Sequence, residues 1–307
     1  VLTNVIQSYY SLIAEKQNIK ILEYSLQLAQ NSYNQTLQNY NRGLASELDM
    51  LNAKYSYQSI KPNLDSAIST YSYNLSNFAI LIGNESIIFS IDENIEIPIK
   101  QLSLPTGKKL CEDFLSNRYD VKLQELNVEQ QKLALSSQTK SSYIPSINIS
   151  ESLNLKPSSD NSINFGGNLT VSTEIPLDSY IKGSKTSNTT QANKDALEAA
   201  VLALEKTKKM ARNDIGQKAA EVNRLWNTIP LAQMNLAIAT RSHELSNQGY
   251  NAGLVSRTDF DNARQKMTKA ELEVISAKQK YFNAIHNLAL SLQLSVSKLY
   301  ELYGENK

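Results

Sequence analysis

Few residues in this chain are of the kinds that make or break bonds. Its 307 residues include two histidines, His243 and His286, and one cysteine, Cys111. Neither histidine stands at a recognisable metal-ligand spacing, and both read as helix-surface or seam residues. A lone thiol with no histidine nearby in sequence lacks the setting that activates a thiolate, and it can form no internal disulfide. The chain carries no nucleophile elbow, phosphate-cradling loop or dinucleotide fingerprint. It therefore reads as a non-enzyme with no cofactor and no bound metal. What does recur is an acid three residues after a serine, in Ser46–Asp49 and Ser256–Asp259. At that spacing the hydroxyl caps a helix and the carboxylate reaches back to the cap. The acid also lies in the favourable field of the helix N-terminus.

These pairs belong to a longer internal repeat. Tyr40-Asn41-Arg42-Gly43-Leu44-Ala45-Ser46-Glu47-Leu48-Asp49 returns 210 residues on as Tyr250-Asn251-Ala252-Gly253-Leu254-Val255-Ser256-Arg257-Thr258-Asp259, and Asn52-Ala53 returns as Asn262-Ala263. Each copy reads as a helix–turn–helix tip, with Gly43 or Gly253 ending one helix in the left-handed conformation. The helices that leave the tips share a stripe of alternating three- and four-residue steps, the seam pattern of a coiled coil. One runs Met50, Ala53, Tyr57, Ile60, Leu64, Ala67, Tyr71, Asn74, Phe78. The other runs Phe260, Ala263, Met267, Ala270, Val274, Ala277, Tyr281, Ala284, Leu288. The tyrosines in these stripes read as core packing. Pro62 and Pro230 lie inside helical stretches and predict kinks or breaks. A helix from about Lys194 to Gly253 would span on the order of 90 Å at 1.5 Å per residue.

The organisation that follows is a first helical hairpin over 1–83 (tip near 43–46), a linker over 84–112 and a helix over 113–142, with helix returning from about 107. A β-hairpin over 143–177, a second helical hairpin over 187–292 (tip near 253–256) and a C-terminal segment over 293–307 complete it. In the β-hairpin, Ile147, Ile149, Leu153 and Leu155 alternate with Asn148, Ser150, Ser152 and Asn154. Ile163, Phe165, Leu169, Val171, Thr173, Ile175 and Leu177 then alternate with Asn164, Asn168, Thr170, Ser172 and Glu174. Pro157 to Asn161 reads as the turn. Each run has roughly the 9–11 residues of a tilted membrane strand. Two strands alone leave unpaired edges, and in lipid only a closed barrel satisfies the backbone. By the symmetry of the repeat, an earlier hairpin and its helix are expected before Val1.

Composition narrows the class further. The chain balances 31 basic against 30 acidic residues, so it has no electrostatic footprint for nucleic acid. No stretch approaches the roughly 18 apolar residues of a membrane helix. With 10 Gly and 7 Pro it favours long regular elements over many turns.

Together these residues resemble the TolC-like outer-membrane efflux protein family. The twin tips are similar to that family's periplasmic hairpin tips. Asn117-Arg118-Tyr119-Asp120-Val121 resembles its N-R-P-D-L helix start, with Tyr119 where proline is usual. Tyr143-Ile144-Pro145-Ser146-Ile147 resembles its strand entry and Ile175-Pro176-Leu177 its strand exit, although Asp178-Ser179-Tyr180-Ile181-Lys182-Gly183 replaces the usual continuation. The fold class the resemblance implies is mainly α: long antiparallel coiled-coil helices forming an α-barrel, with one transmembrane β-hairpin. The full-length protein would be a trimeric α/β-barrel channel-tunnel in the cell outer membrane, its helices in the periplasm. Each of three protomers would give four strands to a twelve-stranded barrel. It would serve as a passive exit duct for efflux or type I secretion, with a periplasmic adaptor (membrane fusion) protein and an inner-membrane transporter as partners. The linker and C-terminal segment would be equatorial.

The resemblance also implies roles at the tips. A link between Tyr250 and Asp49 would hold the periplasmic end shut. The family's second link, to an arginine, meets Val255 and Leu48 here, and Arg257 is the candidate substitute. In the acidic constriction Asp259 matches one position and Asn262 stands at the other, with Asp261 adjacent but turned about 100° away on a helix. Gly43, Leu44, Ala45, Gly253, Leu254 and Val255 would contact the adaptor. The competing reading is a soluble periplasmic coiled-coil scaffold or adaptor, which should carry one tip and several small β-domains.

Overall fold

The computed structural model describes residues 2–84, 91–92, 95–157 and 163–304. The middle of the 84–112 linker and most of the expected turn after Pro157 lie outside the described residues, as do the last three positions of the 293–307 segment. The chain divides into two compact units, residues 1–112 with 214–307, and residues 113–213.

The first unit is built on α1 (Leu2–Asn41) and α2 (Glu47–Leu81), followed later by α6 (Arg257–Ser291) and α7 (Val296–Tyr303). It also holds most of α3 (Gly107–Phe114) and the C-terminal part of α5 (Lys185–Asn251). α1 and α2 pack antiparallel: Tyr33 stacks on Tyr57, the Asn74 amide donates to Glu15 at 2.8 Å, and Tyr9 meets Phe78. α6 then lies antiparallel against α1. Arg257 bonds Thr36, Thr268 bonds Ser25 and Gln279 bonds Ser11, at 3.1, 3.3 and 2.8 Å. These donors recur every eleven residues on α6, three helical turns, so the contact stays on one face of a nearly straight helix. The stripe read from sequence faces the opposite way from part of this ladder and is buried from Phe260 to Leu288 except at half-buried Val274. α6 is thus covered on two sides, and it holds more of the unit's buried residues than any other helix.

The repeat extends further than its motif. α2 and α6 each have 35 residues and keep the same offset at both ends. Each ends in a left-handed residue that turns the chain: Gly83 at φ 70° after α2, and Gln293 at φ 57° after α6. The following amides, of Asn84 and Leu294, donate to the carbonyls of Ala79 and Ala289, both at 2.9 Å. Between the repeats, residues 95–104 have no regular secondary structure apart from an isolated bridge at Leu102. Ile97 is buried with Ala14 and Phe282, and Ser103 donates to the Tyr303 carbonyl beside the bridge of Leu102 with Gly304.

Two expectations are corrected. Of the kinks or breaks expected at Pro62 and Pro230, the breaks do not occur, since α2 and α5 both continue through their proline. Each ring removes one amide donor, at a cost of about 3 kcal/mol, and the helix on either side is long enough to bear that loss. The helix expected over 113–142 is not a single piece with what precedes it. A 3-10 turn at Leu115–Asn117 separates α3 from α4 (Tyr119–Tyr143), because Arg118 is extended and its carbonyl starts α4 by accepting from Lys122.

In the second unit, α4 leads to β1 (Ser146–Pro157) and β2 (Ile163–Glu174), an antiparallel pair in register from Ser146↔Glu174 to Pro157↔Ile163. A 3-10 turn at Leu177–Tyr180 then enters α5, and the Ser179 hydroxyl donates to the Ser142 carbonyl. Lys208 of α5 pairs with Glu125 of α4 at 2.8 Å. Among the described residues no helix is long and apolar enough to cross a membrane.

A left-handed glutamine is strained relative to glycine. Gln293→Gly should therefore raise stability by about 1 kcal/mol, and Gly83→Ala should lower it by a similar amount. Thermal unfolding followed by helical circular dichroism would read both, and a fall for Gln293→Gly would contradict the assignment.

Candidate functional site

The two tips are built by the same hydrogen bonds. At the first, the Gly43 amide donates to the Tyr40 carbonyl and that of Leu44 to the Asn39 carbonyl, at 2.9 and 2.8 Å. At the second, Gly253 donates to Tyr250 and Leu254 to Gly249, at 3.0 and 2.8 Å. This pair of bonds satisfies the last carbonyls of a helix and requires a left-handed residue at its end; Gly43 and Gly253 stand at φ 73° and 74°. The next helix starts at once. Ser46 accepts from the Asp49 amide and Asp49 accepts from the Ser46 amide, at 3.1 and 3.3 Å, a complete capping box. Ser256 accepts from the Asp259 amide at 3.1 Å. The turn leaves Leu44 74% and Leu254 85% exposed, so each tip ends in an uncovered leucine. Bulk is exchanged between the copies. A Cβ on Gly249 would sit 2.5 Å from a methyl of Val255, whereas the first tip carries Asn39 and Ala45 at those places.

The other candidate residues part company here. Asp49 and Asp259 are occupied in capping, and Tyr250 stacks on Phe260 with ring centroids 5.3 Å apart. Among the described residues the Tyr250 hydroxyl and Asp49 make no bond to each other within one chain. Arg257 and Asp261 lie inside the protomer instead, 4% and 6% exposed, joined at 2.8 Å. Arg257 also donates to Thr36 and covers the faces of Tyr250 and Phe260. Arg264, one turn on and 2% exposed, pairs with the same carboxylate at 3.0 Å and donates to Ser56 of α2 at 2.8 Å. One carboxylate thus serves two guanidinium groups, and together they tie α6 to α1 and α2 just behind the tips. Burial drags the Arg264 pKa down against the opposing pull of Asp261, and its Nε finds no partner among the described residues. His243 stacks on Phe260, and burial first, then Arg264, lowers its pKa.

The sequence reading missed Arg264, Thr36 and Ser56. The available signal was the step of four, three and four in Arg257, Asp261, Arg264 and Thr268, a second stripe beside the apolar one.

The hairpin supplies the other surface. The register puts Ile147, Ile149, Leu153 and Leu155 on one face with Phe165, Leu169 and Val171, and Asn148, Ser150, Ser152 and Asn154 on the other with Asn168, Thr170 and Ser172. Those seven apolar side chains are each at least 60% exposed, so nothing among the described residues covers them. Among the described residues no group of His, Cys, Asp and Glu is arranged to hold a metal ion.

A chain of paired long helices with duplicated tips and a two-faced β-ribbon has the architecture of a channel-tunnel protomer. Residues 110–292 match the model of the family described as outer membrane efflux protein, and the chain belongs to that family. Solved structures agree on the fold. A membrane protein from Pseudomonas aeruginosa superposes with a TM-score of 0.83 at 15% identity, covering 94% of this chain and 67% of that one. The outer membrane protein VceC from Vibrio cholerae gives 0.78 at 17% identity, covering 96% and 70%. The CmeC outer membrane channel of Campylobacter jejuni gives 0.77 at 17% identity, covering 98% and 65%. The chain thus spans about two thirds of the length of these structures. No curated protein sequence matches it. Membership places the protein in the outer membrane as an efflux channel, with its helices in the periplasm.

The buried ion cluster makes a quantitative claim. Asp261→Ala would strand two buried guanidinium groups and should cost about 3–5 kcal/mol. Asp259→Ala, which removes only a capping interaction, should cost about 1 kcal/mol. Denaturant unfolding monitored by Trp226 fluorescence would compare them, and equal losses would count against the cluster as the tie between the helices.

Proposed function

We propose that three protomers close into a ring that forms a passive exit duct, working with a periplasmic adaptor and an inner-membrane transporter in efflux or type I secretion. The hairpin carries this reading. Among the described residues it has an uncovered apolar face, a polar face and two unpaired edges, and in lipid such a ribbon is satisfied only within a closed barrel. The apolar face then meets hydrocarbon and the Ser/Asn/Thr face lines a wet lumen. Other surfaces favour a homotrimer. On α5, Leu231, Met234, Ile238 and Leu245 stand exposed along one stripe, and Leu44, Leu48, Leu51 and Tyr55 do so at and beyond the first tip. Both stripes lie on the tip-proximal part of their helices, which suits a seam between neighbouring copies.

Transport through such a duct needs no bond chemistry, only a continuous passage that can close. The proposed closure is at the tips, where the Tyr250 hydroxyl would donate to Asp49 of an adjacent helix pair. Asp49 and Asp259 repeated by threefold symmetry would raise cation occupancy at the constriction. Arg257 and Asp261 act from inside, holding the helices that present these groups. The exposed leucines, with Gly43, Ala45, Gly253 and Val255 shaping their turns, are the surface offered to the adaptor.

Two measurements test this. Asp49→Ala in the full-length protein should raise single-channel conductance in planar bilayers, and a conductance equal to wild type would sink the Tyr250–Asp49 link. Leu44→Cys and Leu254→Cys should cross-link to the adaptor in cells with the pump assembled, and no cross-link from either would argue against docking at the tips.

A further inference from the structure

The strand register places a carboxylate where the barrel reading can least accommodate one. Glu151 is the sixth of the twelve residues of β1, and it shares its face with Ile147, Ile149, Leu153 and Leu155. Its partner across the pair is Leu169, with Gly167 and Val171 on the diagonals. The opposite face holds every Ser and Asn of the strand interior, so Glu151 points away from the polar side. Resting on the reading above, that direction is lipid. About 17 Å of strand separates Glu151 from either end of β1, too far for a glutamate to carry its charge to the headgroups. An ionised carboxylate in hydrocarbon requires a counter-charge or another donor.

The protomer's own ribbon supplies none. The β2 side presents Leu169, Gly167 and Val171. A second copy of the same ribbon would present Ile147 to Leu155 or Phe165 to Thr173 on its outward face, and neither set contains Lys or Arg. Lys156 stands opposite Asn164 in the register, five positions along the strand from Glu151, and residues 158–162 include no Lys or Arg. The one direction left is the free edge of β1.

We infer that the strand seated on the free edge of β1 comes from another part of the protomer's barrel sequence and carries a lysine or arginine on its outward face, level with Glu151. The ion pair across that edge then selects its neighbour. The backbone bonds of an edge accept any strand, whereas an unmatched charge in lipid rejects wrong neighbours and wrong registers.

The test uses trimers assembled in outer membranes from the complete gene product, with the temperature at which they dissociate in detergent read on gels. If Glu151 is paired, Glu151→Leu strands the facing cation and lowers that temperature by several degrees. Glu151→Asp stays closer to wild type. The loss should vanish when the facing cation is also changed, found by replacing each outward Lys or Arg of the other barrel strands by Met in turn. If Glu151→Leu leaves the temperature unchanged or raises it, or if no Met replacement removes the loss, the pair is overturned. Ile149→Arg separates the two readings. A fall in trimer stability with that variant upholds the ribbon in lipid whatever Glu151 does, and a silent Ile149→Arg overturns the barrel reading and the pair with it.

Discussion

The rest of this molecule depends on the burial of α6 from two sides. One side carries the small-and-large apolar stripe from Phe260 to Leu288. The other carries a polar ladder against α1 and the Arg257–Asp261–Arg264 cluster against both α1 and α2. Apolar packing alone is tolerant of sliding between long helices. Paired hydrogen bonds every three turns are not, because a shift by one turn would leave buried donors and acceptors without partners. The ladder therefore sets the register of the two repeats, and with it the depth at which Leu44 and Leu254 stand.

The ribbon obeys the same rule of backbone and charge satisfaction but meets it differently. Helices satisfy their own backbone and need neighbours only for side chains. Strands need neighbours for both, and among the described residues this pair has none on either outer edge. An uncovered apolar face and open edges are a liability in water and a requirement in a lipid-embedded ring. The helical stripes left exposed on α5 and beyond the first tip make a milder version of the same demand.

The repeat shows how one architecture is reached through different residues. Gly83 turns the chain after α2, and Gln293 does so after α6 at a conformational cost. Asn39 and Ala45 fill one tip, Gly249 and Val255 the other. The backbone bonds are the same in each case, so it is the turn geometry that is retained while side-chain volume moves between its two ends.

The sequence by itself determined everything governed by local spacing. Glycine three residues before serine, with an acid three further on, was enough to place both tips, since turn and cap bonds join residues at most a few positions apart. The two-residue alternation revealed a ribbon with unlike faces. Tertiary structure decided what depends on which helix lies beside which. Arg257 reads as an exposed tip residue until α1 supplies Thr36, 221 residues away. Arg264 draws no notice until Ser56 meets it, and Glu151, on the apolar face by alternation alone, is seen to face Leu169 only once the register is known. Burial of a charge is a property of the surroundings and not of the residue, so a pattern along the chain could name these side chains but not tell which way they would turn.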